Sequence, residues 1–281
     1  MRTRKGLHMM QATFPTSPQG HYVQANGVNF HYLEAGAGEP LLLLHGGSMS
    51  AHWNWADHLP LFAQHFWVLA PDSRGHGRTL NPTGQYSYPL LADDMMAFIQ
   101  ALGLRQPFLC GFSDGGIIGS LIAIRSAGVL RALVNHAGYD VFQPANYLRY
   151  RKLFGGSEDA TSANPEHFPR EFPEWVQKMQ EEHDSVQGAD YWKRLLSECW
   201  PMWTQPIAYT VEDFRTIAIP TLISVGDRDF LCSVEEGVAV YRLLAQGELS
   251  VLPNLEHDFT PLAAQIALDF LLRHRQHSET S

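Results

Sequence analysis

Short apolar runs alternate with longer stretches of helical period along most of the chain. Val28 to Leu33 alternates apolar and polar positions, the period of a half-buried strand. Pro40 to Leu44 ends in four leucines, and its length and flanks mark a buried strand. Phe66 to Ala70, Pro107 to Cys110, Leu130 to Asn135, Pro220 to Val225 and Glu248 to Leu252 continue the series. Between these runs the pattern predicts helices over His52 to Gln64, Tyr88 to Leu102, Asp114 to Ala127, Ser233 to Ala245 and Thr260 to Arg273. In the last of them Thr260 suits an N-cap and Pro261 the first helical position. Strands alternating with helices imply an α/β fold with a mostly parallel sheet covered on both faces.

One stretch breaks this rhythm. Residues 139 to 215 show no clear buried strand, yet hold nearly half of the chain's Phe, Tyr and Trp residues, among them Trp175, Trp192, Trp200 and Trp203. The expectation is a helical cap inserted over one edge of the sheet, with the core formed by residues 21 to 138 and 216 to 276. Aromatic rings there suit a roomy apolar pocket; they also suit a small core belonging to the cap itself.

Composition narrows the class. The 281 residues fit one large domain carrying an insertion, and 45% hydrophobic with 17% charged residues is ordinary for a globular chain. The formal charge of -9, with no basic stripe, argues against a nucleic-acid partner. Cys110, Cys199 and Cys232 are odd in number and widely spaced, which suits neither a disulfide framework nor a zinc site but a reducing compartment. The basic start MRTRKGLHMM is not followed by an apolar stretch, so residues 1 to 20 read as a flexible arm and not a signal peptide. No apolar run approaches a membrane span. The expected setting is the cytoplasm, as a monomer or homodimer acting on a small molecule.

Chemistry enters with Gly111-Phe112-Ser113-Asp114-Gly115-Gly116, placed after an apolar strand and before a helical pattern. That context is the one a G-x-S-x-G nucleophile turn requires. The turn is too tight for a Cβ at either glycine, and it lifts Ser113 Oγ to the carboxyl edge of the sheet. The backbone N–H of Asp114 then lies at a helix N-terminus, where it can stabilise an oxyanion. His45-Gly46-Gly47-Ser48 follows the leucine strand, and its Gly47 N–H is the candidate second donor. His45 itself reads as structural, hydrogen-bonded beneath the loop.

A serine hydroxyl needs a base, and the base an orienting carboxylate. Among 14 histidines, His257 lies in the loop after the last strand, at the same sheet edge as Ser113. His76 and His136 are the alternatives. Asp229, in the loop after Val225, gives the chain order Ser, Asp, His. Asp227 and Asp140 stay open as its rivals. The candidate pocket residues are His45, Phe112, His136, Trp175, Trp200 and Trp203. The chemistry calls for no metal and no organic cofactor.

Together with Asp72-Ser73-Arg74-Gly75-His76-Gly77, which looks like a D-x-R-G-H-G loop, these residues resemble the α/β-hydrolase family from about Tyr22 to Leu272. The resemblance implies Ser113, Asp229 and His257 as a triad, with Gly47 and Asp114 as the oxyanion hole. Ser113 sets the chain apart from the dehalogenases and epoxide hydrolases of that family, which carry an aspartate there. Enol-lactonases and perhydrolases with G-x-S-M-G-G turns are similar, but this chain has Asp114 instead of Met. The S-D-G-G form looks like the valacyclovir-hydrolase type, where the acid favours a substrate ammonium; complementing its own helix dipole is the other reading of Asp114. The turn, the HGGS loop and the aromatic, net acidic cap are also similar to serine-dependent macrolide esterases. The resemblance thus implies a carboxylic ester hydrolase, with a bulky macrolactone as the favoured substrate and a general or amino-acid esterase as the alternative. A ligand receptor that keeps its triad is the remaining class.

Overall fold

A computed structural model describes residues 18–139 and 145–275. Eight strands form one sheet: β1 (Gln19–Ala25), β2 (Val28–Gly36), β3 (Pro40–Leu44), β4 (Trp67–Pro71), β5 (Phe108–Phe112), β6 (Leu133–His136), β7 (Thr221–Gly226) and β8 (Gly247–Leu252). Their spatial order is β1-β2-β4-β3-β5-β6-β7-β8. The pairs β1–β2 and β2–β4 are antiparallel, and every pairing from β4 to β8 is parallel. This is the α/β-hydrolase fold. The central strands β3 and β5 are apolar and almost wholly buried, as strands covered on both faces must be.

The helices around the sheet are α1 (Ala51–Trp55), α2 (Leu59–Ala63), α3 (Tyr88–Ala101), α4 (Asp114–Arg125), α10 (Val234–Tyr241) and α11 (Pro261–Arg273). Between β6 and β7, every regular element among the described residues is helical: α5 (Ala145–Gly155), α6 (Phe168–Glu171), α7 (Pro173–Met179), a π-helical turn (Gln180–Asp184), α8 (Ser185–Gln187), α9 (Tyr191–Thr204) and a 3₁₀ turn (Val211–Thr216).

Local chemistry explains most boundaries. Thr260 caps α11 by accepting from Ala263 N–H, with Pro261 in the first turn. Ser233 and Glu236 form a capping box at α10, each side chain accepting from the other's backbone N–H. Two sequence expectations need correction. The single helix over His52 to Gln64 is two short helices, because the chain turns at Ala56 to His58 and Pro60 is tolerated only in a first turn. The arm expected over residues 1 to 20 ends earlier, since Gln19 and Gly20 already pair with Glu34 and Leu33; residues 1–17 lie outside the described residues.

Candidate active site

β5 leads into the Gly111–Gly116 turn that carries Ser113. Ser113 follows Phe112 directly and adopts φ 52°, ψ -119°, a strained conformation for a residue with a Cβ. The turn leaves no room beside it. A Cβ on Gly111 would meet the Gly115 carbonyl oxygen at 2.2 Å, and one on Gly115 would meet the Leu44 carbonyl oxygen at 2.2 Å. The two glycines are therefore steric requirements of the strand–turn–helix junction.

His257 sits in the loop between β8 and α11. Its Nε2 lies 3.0 Å from Ser113 Oγ, and its Nδ1 lies 2.8 Å from Asp229 Oδ2. Asp229 Oδ1 accepts from the backbone N–H groups of Leu231 and Cys232, both at 2.8 Å. Burial pushes this carboxyl up, but His257 and the two N–H donors outweigh it and hold Asp229 below the usual carboxylate range. The charged acid in turn fixes the His257 proton on Nδ1, leaving Nε2 free to accept from Ser113. Phe112 lies against the His257 ring, with centroids 5.0 Å apart.

The rival acids fall elsewhere. Asp227 accepts from Leu255 N–H at 3.3 Å and so ties its own turn to the His257 loop. Asp140 lies outside the described residues. His76 is buried, with Nδ1 on the Arg74 carbonyl at 2.9 Å. His136 is buried with Nδ1 on Ser224 Oγ and Nε2 on the Asp258 carbonyl, so it braces the His257 loop from below.

The cavity over Ser113 measures about 30 Å³, room for about one water. Gly47, Ser113, Asp114 and His257 form its polar floor. Its walls are Trp175 and Trp203, together with Tyr150, Leu153, Phe154, Phe168 and Phe172 from the helical segment and Phe230 and Leu231 beside Asp229. His45, Phe112, His136 and Trp200, all proposed for the pocket from sequence, do not line it. His45 is buried under the Gly46 turn, and Phe112 faces a neighbouring groove of about 310 Å³. Leu153, Phe172, Phe230 and Leu231 also wall an outer cavity of about 690 Å³.

Asp114 reaches into this floor. Tyr88 Oη donates to its Oδ1 at 2.8 Å and Trp203 Nε1–H to its Oδ2 at 2.9 Å. Burial nevertheless dominates and raises this carboxyl above its ordinary value. A Cβ on Gly47 would come within 2.6 Å of Asp114 Oδ2, so the Gly46–Gly47 turn and the acid are packed in direct contact.

The sequence matches the model of the Alpha/beta hydrolase family over residues 41–267. The chain belongs to that family. This α/β hydrolase is 34% identical over 116 residues to 2-hydroxy-6-oxo-6-(2'-aminophenyl)hexa-2,4-dienoic acid hydrolase of Metapseudomonas resinovorans, a match spanning 40% of each chain. It is 24% identical to 3-oxoadipate enol-lactonase 2 of Acinetobacter baylyi over 81% of this chain and 86% of that one. Among solved structures, a bacterial membrane phospholipase A superposes with a TM-score of 0.76 at 23% identity, covering 93% of this chain and 88% of that one. Among the described residues no helix of this hydrolase is long and apolar enough to cross a membrane. Nor does any group of three or more His, Cys, Asp or Glu side chains among them gather as a metal site.

Proposed function

We propose that this enzyme cleaves a carboxylic ester or lactone through an acyl-enzyme on Ser113. The observation that carries the reading is the chain of contacts from Ser113 Oγ through His257 to Asp229, with 3.0 Å and 2.8 Å links. His257 takes the hydroxyl proton as Oγ attacks the carbonyl, and returns it to the leaving alcohol; water repeats the cycle and frees the acid. The N–H groups of Gly47 and Asp114 are the proposed oxyanion donors. The relative named as an enol-lactonase supports the same class.

For substrate we favour a bulky lactone, with the macrolactone ring of a macrolide as the leading case. The support is spatial. The cavity over Ser113 has room for about one water, and the 690 Å³ cavity that shares Leu153, Phe172, Phe230 and Leu231 with it has room for a larger body. That volume lies within the range of sites for drug-sized ligands. In this reading residues 139 to 215 act as a cap that divides the two cavities. The second reading is carbon–carbon hydrolysis of a dienoate, motivated by the Metapseudomonas relative.

Mass spectrometry on p-nitrophenyl esters, amino-acid esters, macrolides and a dienoate, each with Ser113→Ala as control, tests both. The expected result is addition of one water to a lactone by the parental protein, with Ser113→Ala slower by at least about 10⁴-fold. Turnover of esters by a folded Ser113→Ala protein at the parental rate removes the nucleophile assignment. Cleavage of the dienoate alone moves the reading to carbon–carbon hydrolysis.

A further inference from the structure

We infer that His183, carried by the helical segment, is a positioning residue that sets the Gly47 N–H through two peptide planes of the Gly46–Met49 turn. The inference rests on the acyl-transfer reading above.

The path can be followed atom by atom. Gly77 N–H donates to His183 Nδ1 at 2.8 Å. The ring proton is therefore on Nε2, which donates to the Ser48 carbonyl at 2.8 Å. That carbonyl shares its peptide with Met49 N–H, which donates to the Gly46 carbonyl at 3.3 Å. The Gly46 carbonyl in turn shares its peptide with Gly47 N–H, the proposed oxyanion donor. Each bond accepted by a carbonyl polarises its peptide and strengthens the N–H at the other end, so the links reinforce one another.

Two further contacts converge on the same turn. Ser73 N–H donates to His45 Nε2 at 2.9 Å, and His45 Nδ1 donates to the Gly46 carbonyl at 2.8 Å. Trp175 Nε1–H donates to Ser48 Oγ at 3.0 Å. Ser48 is fully buried with φ 59°, a conformation that a non-glycine residue keeps only when its surroundings impose it. His183 and Trp175 supply that constraint, and both come from the helical segment. Lifting the segment would strip both contacts from Ser48 together, so the donor is set only while the segment is seated.

His183 is completely buried in the π-helical turn and is absent from the cavity wall, so it acts through Ser48 and not on substrate. Burial lowers its pKa and keeps the ring neutral. Neutrality is what the path needs, since a proton on Nδ1 would oppose the Gly77 N–H.

The test measures kcat and KM separately on a p-nitrophenyl ester for the parent, His183→Leu, His183→Gln and Trp175→Phe, with thermal midpoints for each. Binding of a boronic acid, which mimics the tetrahedral oxyanion, is measured beside it. His183→Leu removes the donor to Ser48 and is expected to lower kcat about 10- to 100-fold and weaken the boronic acid in proportion, with KM within about 3-fold. A glutamine amide can accept from Gly77 and donate to Ser48, so His183→Gln should return kcat to within about 3-fold of the parent. Trp175→Phe keeps the ring, loses one N–H, and should lower kcat about 3- to 10-fold. If His183→Leu does not fold, His183→Gln and Trp175→Phe decide the matter by the same criteria. A folded His183→Leu protein with parental kcat overturns the inference, as does a loss shared equally by His183→Gln. A parent inert to every ester removes the acyl-transfer reading and this inference with it; an active parent with an indifferent His183 removes the inference alone.

Discussion

The carboxyl edge of the sheet and the helical segment above it contribute to the same cavity by different means. The edge supplies Ser113, Asp229 and His257 on three loops that follow β5, β7 and β8. Backbone does most of the holding: glycine contacts fix the Ser113 turn and two N–H donors fix Asp229, while the His136 ring donates to the Asp258 carbonyl of the His257 loop. The helical segment supplies side chains that reach down: Trp203 to Asp114, Trp175 and His183 to Ser48. A site set by backbone is fixed once the sheet forms, whereas contacts made by side chains can be broken without unfolding the sheet. The proposed chemistry thus rests on the edge, and the proposed setting of its oxyanion donor on contacts from the segment.

The largest break in that comparison is on the edge itself. In Asp229→Asn, the amide oxygen takes the place of Oδ1, because the Leu231 and Cys232 N–H groups need an acceptor. The amide NH₂ then faces His257 Nδ1 and forces the ring proton onto Nε2, against Ser113 Oγ. A ring in that tautomer cannot accept the hydroxyl proton. The expected loss in kcat is about 10³- to 10⁴-fold with little change in thermal midpoint. Steady-state kinetics on any good ester substrate check it, and a loss below about tenfold would show that Asp229 does not orient the base.

Acid sharpens the comparison at an intermediate scale. His45, His58, His76, His136 and His183 are all held neutral by burial, and His136 is pushed down to about 4. A histidine with a lowered folded pKa binds its proton more weakly in the native state than in the unfolded one. Stability is therefore complete above the unfolded value of about 6.5 and declines as pH falls toward the folded value. Each unit of difference is worth about 1.4 kcal/mol, so His136 alone accounts for a few kcal/mol by pH 4. The thermal midpoint should drop steeply between about pH 6.5 and 4, and His136→Gln should flatten that slope. A parental midpoint unchanged across this window would refute the buried neutral state.

What could be read from the chain follows the same division. The geometry of the Ser113 turn was legible because its constraint is steric and local: only glycine fits at Gly111 and Gly115. His257 was legible because a parallel sheet puts every β-to-α loop at one edge. The choice between Asp227 and Asp229 was not, since two residues in one turn differ only by which way the turn points them. β1 escaped notice because most of its residues are exposed, so its pattern carries no buried face. The aromatic richness of residues 139 to 215 was visible, but not which rings meet the cavity, because that depends on how short helices pack. His136 read as a wall residue and is instead a buried brace, while His45, offered both as a structural residue beneath the loop and as a wall, takes the structural place. His183 carried no signal at all, standing in a polar Glu-Glu-His-Asp run with no motif around it.

The smallest expected effect decides what Asp114 is for. Both its oxygens already accept from neutral donors, Tyr88 on the core side and Trp203 on the helical segment. Those contacts join the two regions through one donor on each oxygen, and a second lone pair on each oxygen can still accept. Trp203→Phe removes one donor from a buried carboxyl and should cost about 1–2 kcal/mol of stability, read as a fall of a few degrees in thermal midpoint. Asp114→Asn removes the charge but keeps an oxygen acceptor for one of the two donors. In the double variant the two losses should overlap, giving a coupling of about 1 kcal/mol in a cycle of thermal or denaturant unfolding. The same Asp114→Asn protein should keep its ratio of kcat/KM on amino-acid esters to that on uncharged esters within about 3-fold of the parent, because a group that only joins the two regions does not discriminate charge. A selective loss of more than about tenfold on the amino-acid esters, about 1.4 kcal/mol, would instead make Asp114 an ammonium-recognising group. It would also place part of the selectivity on the sheet edge.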